Sequence, residues 1–355
     1  MTASEPAPAG PAPGPGPEPG PGPQPVGGRG DQRELDMFLA GVVFLDVIFS
    51  GLRGRPAPGT EIFAAGHGCA PGGCANLAVA LSRLGLRVGL GGAFGADLFG
   101  GYLWRILAEQ EGIDLSRSRR IPGWPTPVTV SLAHDGDRSM ITYQEPLPSG
   151  EGTGVGPALA ARTCFVHLGS DLPGWALELR EAGATVFADV SWDSTGSWSP
   201  AVLDRLALVD VFLLNAVEAT SYTRTGSARA ALDVLAPRVP VCVVKDGGRG
   251  AIGVDNTTGE RASAPAIPVE LLDPTGAGGV FDAGFVFATL VGWPLRQRLQ
   301  FANLCAGLSV RRHSGSLGAP GWDDIAAWLD SPEVPVQVRA DYGFVVPRIA
   351  FYNNQ

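Results

Sequence analysis

The segment Asp273-Pro274-Thr275-Gly276-Ala277-Gly278-Gly279 runs straight into an apolar stretch with helical spacing. Small residues let a backbone approach a ligand closely. The free N–H groups of a helix start, aided by the helix dipole, hold an anion. Thr275 and Asp273 are of the types that cap such a start. A glycine-rich helix entry with no ligand has the same composition, so phosphate binding and plain capping both stay open on this segment alone. Other polar residues fall at comparable places. Asp46 and Asp189 close apolar runs, Lys245 ends another, and Asn215 precedes Glu218 by three positions at a helix start. Asn caps helices well, so by itself the Asn215–Glu218 pair reads first as a helix entry.

Several chemistries are excluded. The lysine of a P-loop must follow a glycine and precede Ser or Thr, whereas Lys245, the only lysine in the chain, lies between Val244 and Asp246. Gly89-Leu90-Gly91-Gly92-Ala93-Phe94 has the first two glycines of a dinucleotide fingerprint but Phe94 where the third belongs, which argues against a nicotinamide dehydrogenase. Lys+Arg 26 against Asp+Glu 35 leaves a net charge of −9, so nothing favours a nucleic-acid or anionic-membrane surface. The cysteines (69, 74, 164, 242 and 305) show no CxxC spacing, and the histidines (67, 134, 167 and 313) form no ligand-like cluster. No basic start is followed by an apolar stretch and no apolar run reaches spanning length, so a cytoplasmic location is expected.

These residues need a scaffold that gathers strand ends and helix starts. Residues 1–34 are mostly Pro, Gly and Ala. They cannot bury enough apolar surface to offset their ordering entropy and are expected to form a disordered tail. Phe38 to Asp46 reads as a buried strand ending in a carboxylate. Helical spacing covers Ala75 to Leu84 and Asp97 to Gln110, with a strand from Arg87 to Gly91 between them. Val128–His134 and Ser139–Tyr143 flank Asp135-Gly136-Asp137, a hairpin signal. Strands (164–168, 185–189, 211–214, 241–245) then alternate with helices (174–181, 228–235), and long helices over 277–290 and 296–311 follow. The alternation predicts an α/β fold with a mostly parallel sheet covered by helices on both faces. A small β lid is expected from 47–66 and 124–145, within a domain spanning 35–331. The extension 332–355 contains short runs at 336–338 and 343–346 that suit an edge strand or a docking segment. In such sheets ligands sit beyond the carboxyl ends of the strands, where Asp46, Asp189, Asn215 and Gly276 all fall.

Five motifs in order then carry a resemblance. The run from Pro71 to Gly85, PGGCANLAVALSRLG, is similar to the N-terminal signature of the PfkB (ribokinase-like) carbohydrate kinases. Gly95-Ala96-Asp97 with Gly100 resembles that family's next glycine–acid element, and Asn215-Ala216-Val217-Glu218 its NxxE motif. Lys245 to Gly250 resembles its nucleotide-side strand and turn, and Asp273 to Gly284 its C-terminal signature. The resemblance implies ATP- and Mg²⁺-dependent phosphoryl transfer to a hydroxyl of a small sugar or nucleoside. Asp46, Gly72, Gly73 and Asn76 would meet the substrate, the two glycines also serving as the hinge of the lid. Arg138, otherwise a solvated turn residue, could reach the substrate from the lid. Asn215 and Glu218 would order Mg²⁺ and its waters. Lys245, Gly247, Gly250, Thr275 and Asn303 would lie along the nucleotide. Gly276, Ala277 and Gly278 would present N–H groups to the charge developing on the transferred group. A homodimer through the lid is also expected, because an exposed sheet seeks a partner.

One position departs from that pattern. The family places an aspartate, the base for the attacking hydroxyl, after the second glycine; here it is Gly279. Asp282, one turn along the same helix face, could substitute, since side chains lean toward the helix N-terminus. A slow kinase without a base is physically possible, because losing a general base typically costs about 10²–10⁴-fold. The third reading is a pseudokinase that binds sugar or nucleotide without turnover. Gly279→Asp is then expected to raise turnover.

Overall fold

The chain that begins at Leu35 stays extended for 16 residues and serves two sheet regions in succession. Its first half lies in a mostly parallel sheet and its second half in the lid. This is the computed structural model of residues 35–134, 137–148, 155, 159–169 and 171–352. The predicted tail of residues 1–34 and the hairpin tip at 135–136 lie outside the described residues.

The strands are β1 (Leu35–Ser50), β2 (Gly66–Gly73), β3 (Val88–Gly95), β4 (Arg119–Ile121), β5 (Val128–His134), β6 (Asp137–Tyr143), β7 (Ala161–Leu168), β8 (Thr185–Val190), β9 (Val211–Asn215), β10 (Val241–Lys245), β11 (Ala251–Asp255) and β12 (Glu260–Ala264). The main sheet runs β12-β11-β10-β9-β8-β7-β1-β3-β4. It is parallel from β10 to β4, with the β11–β12 hairpin antiparallel at one edge. The lid runs β2-β1-β5-β6, with β2 antiparallel and β5 parallel to the distal half of β1.

The helices are α1 (Ala75–Arg83), α2 (Leu98–Arg105), α3 (Gly174–Glu181), α4 (Ala216–Thr223), α5 (Ala228–Leu235), α6 (Ala277–Leu290), α7 (Leu295–Ser309), α8 (Trp322–Asp330), α9 (Val336–Asp341) and α10 (Val346–Tyr352). They cover both faces of the main sheet, as the alternation of elements predicts. One apolar cluster joins the sheet to α1, α6, α7 and α8, and a second joins it to α3, α4 and α5. Helix α6 is buried nearly all round, from Val280 through Ala288. That fits its sequence, apolar but for Asp282 and Thr289, which leaves it no solvated face. It nests against α7 where a Cβ at Gly284 would stand 2.9 Å from the Ala302 Cα.

The C-terminal segment departs from the edge strand expected there. Its runs at 336–338 and 343–346 belong to α9, a short 3₁₀ turn and α10. Aromatic packing is the reason. The Tyr352 ring stacks on Trp322 at 4.8 Å, and Phe344 meets Trp293 edge-on at 4.8 Å. An extended strand would take these rings off the core.

Candidate active site

The N-terminus of α6 forms the floor of a cleft beneath the lid. Gly276, its cap residue, sits at φ +81°, a conformation that side chains with a Cβ rarely adopt. The Ala277 N–H turns back to the Pro274 carbonyl at 3.3 Å, so this one of the three predicted donors is spent within the turn. The N–H groups of Gly278 and Gly279 have no carbonyl one turn back inside the helix and remain available to a ligand. A Cβ at Gly276 would stand 2.7 Å from Asn76 Oδ1. That oxygen is buried with no hydrogen-bond partner. An orphaned acceptor beside an anion-holding turn is the feature a bound donor group would satisfy.

Asp46 lies in the lid half of β1. It stands in β1 opposite Ala70, and a Cβ at the neighbouring Gly72 would overlap its carboxylate. Burial pushes its carboxyl up to about 7, against the pull of Arg138 and with a contribution from Asp273. Arg138 Nη1 donates to the Pro274 carbonyl at 3.2 Å, so the residue does reach the α6 entry from the lid. Two more bonds fasten the lid, Ser131 Oγ with Thr275 Oγ1 at 2.8 Å and Ser50 Oγ with His313 Nδ1 at 2.6 Å. The Thr275 hydroxyl, predicted for the nucleotide, is therefore engaged with the lid. Gly73 ends β2 at φ +63°, in keeping with a hinge. Asp97 has a structural role, because it caps α2 through the Gly100 N–H and holds Thr126 at the start of the lid.

Gly250 and Asn303 meet at one turn at the end of β12. Asn303 Nδ2 donates to the Ala264 and Pro265 carbonyls at 3.0 and 3.1 Å, and Gly250 packs against the same backbone. Gly247 opens the turn after β10 at φ +56°.

Lys245 and Asp282 are ion-paired. Lys245 Nζ bonds both Asp282 oxygens and stands 3.9 Å from where a Cβ at Gly278 would lie, beside the α6 start. Burial opposes its charge, but Asp282, Asp189 and Glu218 together hold the ammonium above its ordinary range. Asp282 occupies the expected face but is buried and turned to the lysine. Burial raises its carboxyl against the pull of Lys245, whose ammonium holds both of its oxygens. It is not a free base. Gly279 is itself crowded, because a Cβ there would stand 2.9 Å from Asn76 Cβ.

Asn215 and Glu218 form a reciprocal capping box at α4, with each side chain accepting the other's N–H. The box uses one Glu218 oxygen and leaves the second. Burial pushes Glu218 up to about 7, a penalty that a nearby cation would reverse. Among the described residues no three His, Cys, Asp or Glu converge as a metal cage. The Glu218 oxygen that the box leaves unused fits Mg²⁺ that keeps its waters and binds chiefly through phosphates.

Sequence reasoning missed one pair. His167 at the end of β7 and Asp189 at the end of β8 are register partners, and Nδ1 of the histidine bonds the aspartate. The signal available was the place of both at strand ends.

The family model described as pfkB family carbohydrate kinase matches residues 64–321. The chain belongs to the pfkB family of carbohydrate kinases. Among curated proteins, this pfkB member is 29% identical over 264 residues to the ATP-dependent ribose-1-phosphate kinase of Halopiger xanaduensis, covering 73% of this chain and 86% of that one. It is 28% identical over 288 residues to the nucleoside kinase of Methanothermobacter thermautotrophicus, covering 78% and 86%. An E. coli chain named for ribokinase II and solved with ATP and Mg²⁺ superposes with a TM-score of 0.69 at 20% identity, over 83% of this chain and 99% of that one. The ribokinase-like fold follows. Among the described residues no helix is long and apolar enough to cross a membrane.

Proposed function

We propose that this pfkB protein transfers the γ-phosphoryl group of ATP to a hydroxyl of a small sugar or nucleoside. The observation that carries the reading is the pairing of unspent N–H groups at the α6 start with the orphaned Asn76 Oδ1, both within reach of the lid. Asp46 accepts hydrogen bonds from acceptor hydroxyls, Asn76 orients them, and Arg138 neutralises charge from above. The first-turn amides of α6 meet the charge that spreads over the phosphoryl oxygens as the bond to ADP loosens. The turn at 264–265, shaped by Gly250 and Asn303, receives the nucleotide. Glu218 and Asn215 would hold Mg²⁺ through its waters, and the ion would supply further neutralisation of the phosphates. Lid contacts at Ser131, Arg138 and Ser50 keep water from the transferred group. A cytoplasmic setting suits an ATP-dependent enzyme. The exposed apolar row Met140, Ile141 and Tyr143 on the outer lid strand β6 supports self-association through the lid.

A specific observation favours a second reading. Gly279 has no base, and Asp282 is locked to Lys245, so a protein that binds sugar and nucleotide without turnover fits the same cleft. Purified protein is tested for ADP and phosphorylated product over sugars, sugar phosphates and nucleosides with ATP and Mg²⁺, beside calorimetry for binding. Product with one acceptor supports transfer. Saturable nucleotide binding with no product from any acceptor supports the binder, and no nucleotide binding defeats both.

A further inference from the structure

The place that Gly279 leaves without a carboxylate faces a cavity of about 100 Å³, walled by Gly279, Asp282, Asn76, His167 and Asp189. Resting on the transfer reading above, we infer that His167, oriented by Asp189, is the proton acceptor for the attacking hydroxyl, reached through one water held in this cavity. Four observations converge on the pair. His167 and Asp189 are laterally adjacent on parallel strands, so their side chains share a face of the sheet. Asp189 engages Nδ1, which fixes the tautomer and leaves Nε2 as the basic nitrogen. The ring also packs edge-on against Phe165 at 5.8 Å between centroids, which limits its rotation. The cavity has room for several waters, since one needs about 10–15 Å³.

The other candidate bases are worse placed. Asp282 is held by both oxygens on Lys245, and Glu218, at the α4 cap, does not line this cavity. In the step, the acceptor oxygen forms its bond to the γ-phosphorus as the bond to the ADP oxygen breaks. The hydroxyl proton passes to the cavity water, and a proton of that water passes to Nε2. The imidazolium, stabilised by Asp189, then releases its proton to bulk solvent. Atoms and charge balance without any further reactant. Asp189 acts through the histidine and is a positioning residue.

The groups facing His167 are Asp189 from β8, Asp282 from α6 and Lys245 from β10. The carboxylates raise the imidazole above its ordinary range, Asp189 most, while burial and Lys245 oppose them. The kcat of the wild-type protein should therefore rise with pH through a value above about 6.5, the ordinary histidine value. His167→Gln should lower kcat about 10²–10⁴-fold and abolish that rise, with the ATP Kd unchanged by calorimetry. Imidazole added to His167→Ala should restore turnover, which a merely structural histidine would not allow. Asp189→Asn, which keeps a hydrogen-bonding group, should lower kcat and move the pH midpoint down, and it serves if the histidine variants fail to fold. An active wild type whose His167→Gln variant keeps both its kcat and its pH rise overturns the inference and leaves the transfer reading standing. A wild type that binds nucleotide but yields no product from any acceptor overturns the transfer reading and this inference with it.

Discussion

Lys245 Nζ lies 2.9 and 2.8 Å from the two carboxylate oxygens of Asp282, with the aspartate buried and the lysine side chain still 14% exposed beside the start of α6. The sole lysine of the chain is thus spent on an internal ion pair. The free amides of Gly278 and Gly279 open the same helix. The pair also fixes α6 against the end of β10, which positions those amides.

Breaking that pair should be costly. Lys245→Met leaves a buried carboxylate with no cation, and removing one partner of a buried pair costs about 3–5 kcal/mol. Denaturant unfolding should therefore show a large loss for the single variant. Lys245→Met with Asp282→Leu should recover most of it, because neither charge then remains buried. A single variant as stable as wild type would show that the pair is not the fastening described here.

Gly279→Asp should not behave as the sequence suggests. The new Cβ would crowd Asn76 Cβ at 2.9 Å, so α1 must shift away from α6. Overpacking of this kind costs about 1–3 kcal/mol. The expected result is a lower Tm and no gain in kcat. A rise in kcat at unchanged Tm would mean that the α1–α6 contact yields freely.

Asp46 should make the ligand-free protein less stable as pH rises. Its carboxyl goes from an ordinary 3.8 to about 7 in the folded state. Across that window the unfolded chain binds fewer protons, so stability falls with rising pH. At about 1.4 kcal/mol per pKa unit, the effect is on the order of a few kcal/mol. Asp46→Asn should flatten this part of the stability curve and raise the acceptor KM, as urea midpoints at several pH values and steady-state kinetics would record. An unchanged slope in the variant would rule out Asp46 as its source.

The C-terminal helices should matter for stability and not for nucleotide binding. Tyr352 stacks on Trp322, which packs on Phe287 near the far end of α6, about 15 Å from its N-terminus at 1.5 Å per residue. Tyr352→Ala should cost about 2 kcal/mol, below the 3–5 kcal/mol of a fully buried aromatic because the ring is only half-buried. The ATP Kd, measured by calorimetry, should not move. A variant with wild-type stability would show that the stack contributes nothing.

Periodicity and punctuation in the sequence did not determine β2, β4 or the β11–β12 hairpin, but determined the alternation of strands and helices along the parallel α/β sheet, the lid hairpin and the glycine-rich start of α6. Each is written in neighbouring residues: the apolar run of β10, the glycines before α6, the capping types at Asn215 and Asp97. Local patterns also misled where packing overrides propensity, as in the C-terminal segment, where aromatic stacking on Trp322 and Trp293 selects helices over a strand. Tertiary structure alone decided which polar groups are free to react. Lys245 and Asp282 are 37 positions apart and His167 and Asp189 are 22 apart. Their meetings depend on the lateral order of strands and the depth of α6 against the sheet, which no spacing along the chain encodes. Side-chain chemistry is inherited from the sequence, but whether a carboxylate is a base or half of an ion pair is set by what the fold places within 3 Å of it.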